Sequence, residues 1–250
     1  MHNILQLEFN SNIQSIAQEY LPSKHKFFNT LKQHGSNLVN SPELLGKFYH
    51  YYQSAMHATR VMVYYIPGLD SPELRKRKLS IFIDDDGLEN GDTHHYQLFR
   101  AFQSMGTKFI FPEEIYGSLN QVIETLDTEN MQSFVRSVQR LYPESLGAWC
   151  IVEFLSNDWM NALCDGLTKF FPQLSKEQYF HDCFEKNVEE RHGAEALELA
   201  LNNITNNKAY KDIMLIHARE MAKNLNLLWD SLDTLLVDYS RRNFAGSSKL

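Results

Sequence analysis

The sequence predicts an all-α fold, a layered bundle of about eight to ten helices in one domain. Three observations lead there. Apolar residues recur at helical spacing through most of the chain, and no pair of alternating strands interrupts them. Helix-start and helix-stop signals follow each other at short intervals, with no long structureless stretch. The 250 residues are 43% hydrophobic, enough to bury one sizeable core. The domain spans residues 1–250, with frayed ends expected over the first ~10 and last ~8 residues.

Taken in order, Ile13 to Tyr20 and Lys24 to Gln33 read as short helices separated by Pro22-Ser23, the second stopped by Gly35. Ser41-Pro42-Glu43-Leu44 opens a third, because serine accepts from free N–H groups at the N-cap and proline is pre-set for the first turn. That helix should run to about Tyr65, where Ile66-Pro67-Gly68 stops it, and it is rich in rings and sulfur that read as core. Ser71-Pro72-Glu73-Leu74 repeats the signal and opens a helix to about Leu88 through the basic cluster Arg75 to Lys78. Gly91 then stops the chain, and Asp92 or Thr93 caps a helix from His94 to Ser104 that ends at Gly106. Helices follow over about Pro112 to Leu126, Asn130 to Leu141, Leu146 to Phe170 and Lys176 to Asn202. A last one, about Tyr210 to Tyr239, carries a stripe that includes Ile213, Ile216, Met221, Leu225, Leu228, Leu232 and Leu235.

Charge and cysteine usage exclude several classes. A net charge of −7 argues against nucleic acid and anionic membrane, both of which need concentrated basic surface. Cys150, Cys164 and Cys183 form no CxxC pair and are odd in number, so neither a disulfide framework nor a thiolate zinc site is expected, and a reducing cytoplasm fits. No run approaches the ~20 apolar residues of a spanning helix, and the first residues lack a basic-then-apolar signal; the expectation is a soluble, unexported protein.

The chemistry gathers in two stretches. Glu185, Glu189 and His192 fall at spacings of four and three, one face of a helix, about 10 Å from first to last. The stripe runs back to His181 and on to Ala196 and Leu199, so polar groups stand where a core stripe should be apolar. By itself the stripe also fits a solvated helix face. Glu153 shares its face with Leu146, Trp149, Cys150, Asn157, Met160 and Cys164, and no Lys or Arg lies near it in sequence. A carboxylate in that company must be protonated, paired or metal-bound. His95 shares a face with Leu98, Phe99 and Phe102, whereas His94 points with Gln97 and Ala101, which makes His95 the inward candidate. Glu89 stands six residues before His95, across the Gly91 break, where two helices meeting at a corner can turn both side chains to one point.

Leu88-Glu89-Asn90-Gly91, then His95, Leu98-Phe99 and Gly106, resembles the E-x-G followed by H-x-x-L-F and G of the heme-oxygenase-like diiron oxidases. These are CADD-like proteins in the superfamily shared with TenA and the pyrroloquinoline-quinone synthase. Ser145-Leu146-Gly147-Ala148-Trp149 followed by Glu153 is similar to that family's small-residue helix with its middle glutamate. Tyr179-Phe180 and His192-Gly193 resemble its closing H-x-x-x-D-x-x-H-G helix. The resemblance covers roughly residues 40 to 202, in order. Two positions depart: Glu185 stands where the family has His, and Glu189 where it has Asp.

The resemblance implies a heme-oxygenase-like bundle and a metal-ligand set of Glu89, His95, Glu153, Glu185, Glu189 and His192. Such a set suits a dinuclear iron site, or Mn or mixed Fe/Mn, with O₂ as cosubstrate. The implied activity is an oxidase or oxygenase acting on a small organic substrate such as an amino acid, amine or fatty acid, in a homodimer. The exchange of a family histidine for Glu185 keeps open a metal-free helical protein, acting as an interaction module or cofactor-free enzyme. A thiaminase-like hydrolase would need Cys150 as nucleophile, and no base neighbours it in sequence.

Overall fold

The computed structural model describes residues 2–63, 72, 76, 92–107, 119–185, 188–204 and 208–247. Eleven α-helices are found among them: α1 (His2–Glu19), α2 (Lys26–His34), α3 (Ser36–Asn40), α4 (Pro42–Val63), α5 (His94–Ser104), α6 (Leu119–Thr125), α7 (Glu129–Leu141), α8 (Leu146–Thr168), α9 (Gln178–Glu185), α10 (Val188–Ile204) and α11 (Lys208–Ser247). Short 3₁₀ turns over Pro22–Lys24 and Pro172–Lys176 are the remaining regular elements, and the described residues contain no strand. The protein is an all-α multi-helix bundle.

The capping chemistry carries through. Ser41 Oγ accepts from Leu44 N at 3.1 Å at the head of α4. Thr93, rather than Asp92, caps α5 by accepting from Tyr96 N at 3.1 Å. Gly106, at φ +100°, takes the left-handed turn after that helix, where a side chain would be strained. Of the expected helix after Ser71 only Pro72 and Lys76 are among the described residues, both helical, and Glu89 lies outside them.

Helix α8 is the axis of the bundle. Its buried residues include Leu146, Trp149, Ile151, Leu155, Trp159 and Leu163, which cover more than half of its circumference, as a helix packed by others on several sides requires. Helices α1, α2, α9, α10 and α11 pack around it. Asp158 fastens the first 3₁₀ turn to α8, accepting from Ser23 N at 2.7 Å and from Ser23 Oγ at 2.8 Å. Two helices approach α8 through glycines. A Cβ on Gly147 would lie 1.9 Å from Met214 O of α11, and one on Gly193 of α10 would lie 3.1 Å from Glu153 O.

Three expectations change. The first helix begins at His2, in the stretch expected to fray, because Phe9 is fully buried and Glu8 bridges to Lys211 Nζ at 2.8 Å. On α11 the buried stripe is Met214, Ala218, Met221, Leu225, Leu228 and Leu232, and Ile213 and Ile216 are 43% and 63% exposed. The stripe runs one register beside the expected one at its start, with Ile213 and Ile216 on its outer flank. The helix also continues past Tyr239 to Ser247.

Candidate metal centre

Glu153 on α8 meets Glu189 and His192 on α10, and one ligand atom from each lies within 4.8 Å of the others. Local sequence explains the convergence. Glu189 and His192 are three apart, hence on one face of α10. Gly193, next to His192, rests against the backbone of Glu153 and Phe154, so the two helices approach where the carboxylates must meet. His192 is buried at 2% exposure, while Glu153 and Glu189 are half-buried.

Trp149, one turn earlier, donates from Nε1 to Glu153 Oε1 at 2.9 Å. Burial, then the Glu153 charge, pushes the Cys150 thiol up to about 12 and holds the fully buried Tyr142 phenol well above its ordinary value. Cys150 therefore stays protonated at neutral pH, which removes the chemical basis for a thiolate nucleophile there.

The two histidines that open α5 turn to different neighbours. His95, 7% exposed, meets the ring of His57 on α4, with centroids 5.8 Å apart and planes at 63°. Burial first and Arg60 second push His57 down to about 4; burial, His57 and Arg60 push His95 down to about 3. Both rings are neutral at pH 7. His94, half-buried, lies 6.5 Å from the His192 ring and 6.4 Å from the Tyr179 ring. The Tyr179 hydroxyl in turn is 3.4 Å from that of Tyr52, which donates to Met160 Sδ at 3.2 Å.

Of the six residues expected as ligands, Glu153, Glu189 and His192 are brought together. His95 is seated against His57. Glu185 is the last residue of α9, and neither its side chain nor Glu89 is among the described residues. Sequence reasoning passed over His57, although it continues the Tyr49, Tyr52, Gln53, Met56 face of α4, where another buried polar group breaks an aromatic stripe. It also missed the Trp149 donor, for which the four-residue spacing to Glu153 was the available signal.

Donor chemistry and spacing both fit a metal ion. Ligand atoms bound at about 2.1 Å stand about 3 to 4 Å apart around one ion, so modest side-chain rotation closes the observed group. Two carboxylates with an imidazole, and no thiolate, suit Fe(II) or Mn(II). A separate cleft of about 350 Å³ between α4, α11 and residues 127–128 shares no lining residue with this group. There Asp127 accepts from the Tyr51 hydroxyl and pairs with Lys47 Nζ at 3.6 Å, so its carboxylate is already engaged.

Comparison with protein-family models gives no match for this chain, and comparison with curated proteins gives none.

Proposed function

We propose that the chain is a non-heme diiron, or mixed iron–manganese, O₂-activating oxidase or oxygenase with a heme-oxygenase-like fold. The convergence of Glu153, Glu189 and His192 from two helices carries the reading. Bound metal would supply redox chemistry at O₂ that side chains lack. The protein's own part is to hold and shield the ligands. Trp149 fixes one carboxylate oxygen of Glu153, and Gly193 sets the spacing of α8 and α10. Glu89 and Glu185, with an imidazole from α5, complete the proposed set.

The substrate class is a small organic molecule such as an amino acid, amine or fatty acid. Cytoplasmic location and a homodimer belong to the same proposal. No helix among the described residues is long and apolar enough to cross a membrane.

One observation favours a second reading, a metal-free helical module: the Trp149 bond compensates part of the Glu153 charge without an ion. Metal content decides between them. After expression with added iron and manganese, the first reading expects about two ions per chain, and O₂ uptake when Fe(II) is added to the stripped protein. Absence of bound metal under both supplements leaves only the second.

A further inference from the structure

We infer that the cleft between α4 and α11 is a binding site for a free amino acid with an apolar side chain. Its volume of about 350 Å³ stands at the small end of the roughly 300–1,000 Å³ of ligand clefts, room for one small molecule. It shares no lining residue with the Glu153–Glu189–His192 group, so it stands whether or not that group binds an ion.

The wall of the cleft is largely apolar. Leu44 and Tyr51 of α4 and Leu235 and Tyr239 of α11 line it with two aliphatic chains and two rings. The Tyr51 hydroxyl donates to Asp127, and burial, then that bond, holds the phenol above its ordinary range. What Tyr51 offers a ligand is therefore an uncharged ring. The two helices are also tied beside the cleft: Ser240 Oγ, next to Tyr239, accepts from Asn37 Nδ2 at 2.8 Å, which fastens α11 to the segment that leads into α4. A cavity held open in this way costs little to order when a ligand enters.

The charges on the rim select the class of ligand. Glu43, Lys47, Asp127, Asp238 and Arg242 line the cleft. Three of them are engaged within the protein, since Lys47 Nζ pairs with Asp127 at 3.6 Å and Asp238 pairs with Arg241 at 3.8 Å. The side chains of Glu43 and Arg242 are exposed and have no ion pair or hydrogen bond among the described residues. One carboxylate on α4 and one guanidinium on α11 are thus left beside an apolar wall. A simple anion gains from Arg242 and is repelled by Glu43; a simple cation meets the reverse. A zwitterion satisfies both, with its ammonium at Glu43 and its carboxylate at Arg242, whose planar guanidinium donates two parallel bonds. Its apolar side chain then lies on the leucines and tyrosines, where burial supplies affinity.

Calorimetric titration of the full chain with phenylalanine tests this, beside two analogues that each lack one charge: hydrocinnamate, without the ammonium, and phenethylamine, without the carboxylate. Phenylalanine should bind saturably, and each analogue on the order of 10-fold more weakly, because each leaves one charged group of the cleft unmatched. Glu43→Gln should weaken phenylalanine by a similar factor and leave hydrocinnamate unchanged; Arg242→Gln should weaken phenylalanine and leave phenethylamine unchanged. Leu235→Trp, which fills the cleft, should abolish binding of all three. The two rim substitutions are at exposed positions and keep the fold, so the charge comparison holds even where Leu235→Trp does not fold. Glu153→Ala should bind phenylalanine as the wild type does. Absence of saturable phenylalanine binding overturns the inference, as do equal effects of Glu43→Gln and Arg242→Gln on all three ligands, or loss of binding in folded Glu153→Ala.

Discussion

Two polar clusters lie along α8, and the contrast between them separates a fastening from a candidate site. At the head of α8, Gly147 N donates to Ser145 Oγ at 3.3 Å, Ser145 Oγ lies 2.9 Å from His217 Nδ1, and His217 Nε2 lies 3.3 Å from Glu144 Oε2. Read as residue types this is a Ser–His–Glu triad. Yet one arrangement of protons satisfies the whole chain: Gly147 N–H to serine, serine O–H to Nδ1, and Nε2–H to the carboxylate. Ser145 is also fully buried, closed to any substrate. Two turns along, Glu153, Glu189 and His192 bring mainly acceptors to one point. Acceptors that converge offer a cation a place to bind, whereas a donor–acceptor chain that closes on itself offers none.

The largest effect is expected at the closed cluster. Gly147→Ala places a methyl group 1.9 Å from the Met214 carbonyl, a backbone atom that moves only with α11. Its loss of stability should exceed about 3 kcal/mol, at or beyond the usual range for overpacking, and urea unfolding measures it. A loss below about 1 kcal/mol would mean that α11 yields easily and that this end of α8 is not rigid.

At the open cluster the larger effect should be on metal. Glu153→Ala and His192→Ala are each expected to lower affinity for at least one ion by on the order of 100-fold or more, since changes to supporting residues alone reach that range. Glu190→Ala, on the exposed side of the same helix, should leave affinity unchanged. Metal analysis of the purified variants checks both. Equal losses in all three would show that the convergence is not the binding determinant.

Much of this was legible in the sequence because helix signals are local. Caps at Ser41 and Thr93, and the spacing of Glu189 and His192, need only neighbours in the chain to be read. Which face of α5 turns inward was not legible. The sequence reading leaned on Leu98, Phe99 and Phe102 as the buried face, but Gln97 and Ala101 are buried as well, at 4% and 0% exposure. When both faces of a helix are internal, hydrophobicity cannot rank them, and only the neighbouring helices decide. The same limit applies to Ile213 and Ile216, apolar residues on the margin of a stripe whose centre is set by what α8 presents. Gly147 and Gly193 show the converse. Their presence is plain in the sequence, but the backbone each one admits belongs to another helix.

The His57–His95 pair resembles neither cluster and predicts a pH dependence of intermediate size. Both rings are buried, and their folded values of about 4 and about 3 lie below the ordinary 6.5, so the unfolded chain binds more protons between those limits. Stability should be fully present above pH 6.5 and fall as pH drops, on the order of 2 kcal/mol per ring by pH 5. Comparing urea midpoints at pH 7 and pH 5 for the wild type and His57→Leu should show a shallower fall in the variant. Parallel falls would place the acid sensitivity elsewhere.

The smallest expected effects divide the two clusters most cleanly. Ser145→Ala removes the α8 cap and the His217 partner, which should cost about 1 kcal/mol of stability and leave metal affinity untouched. Gly193→Ala should do the reverse. A methyl group there meets Glu153 O at 3.1 Å and Phe154 Cα at 3.3 Å, contacts tight enough to push α10 off α8 by a few tenths of an ångström. Alanine's better helix propensity, worth about 1 kcal/mol over glycine, offsets that strain, so the unfolding midpoint should barely move. The Glu153–Glu189–His192 spacing does not share in the compensation, and affinity for the ion should fall about 10-fold. If Gly193→Ala instead lost stability and kept its metal, the glycine would be a packing device like Gly147, and the distinction between the two ends of α8 would disappear.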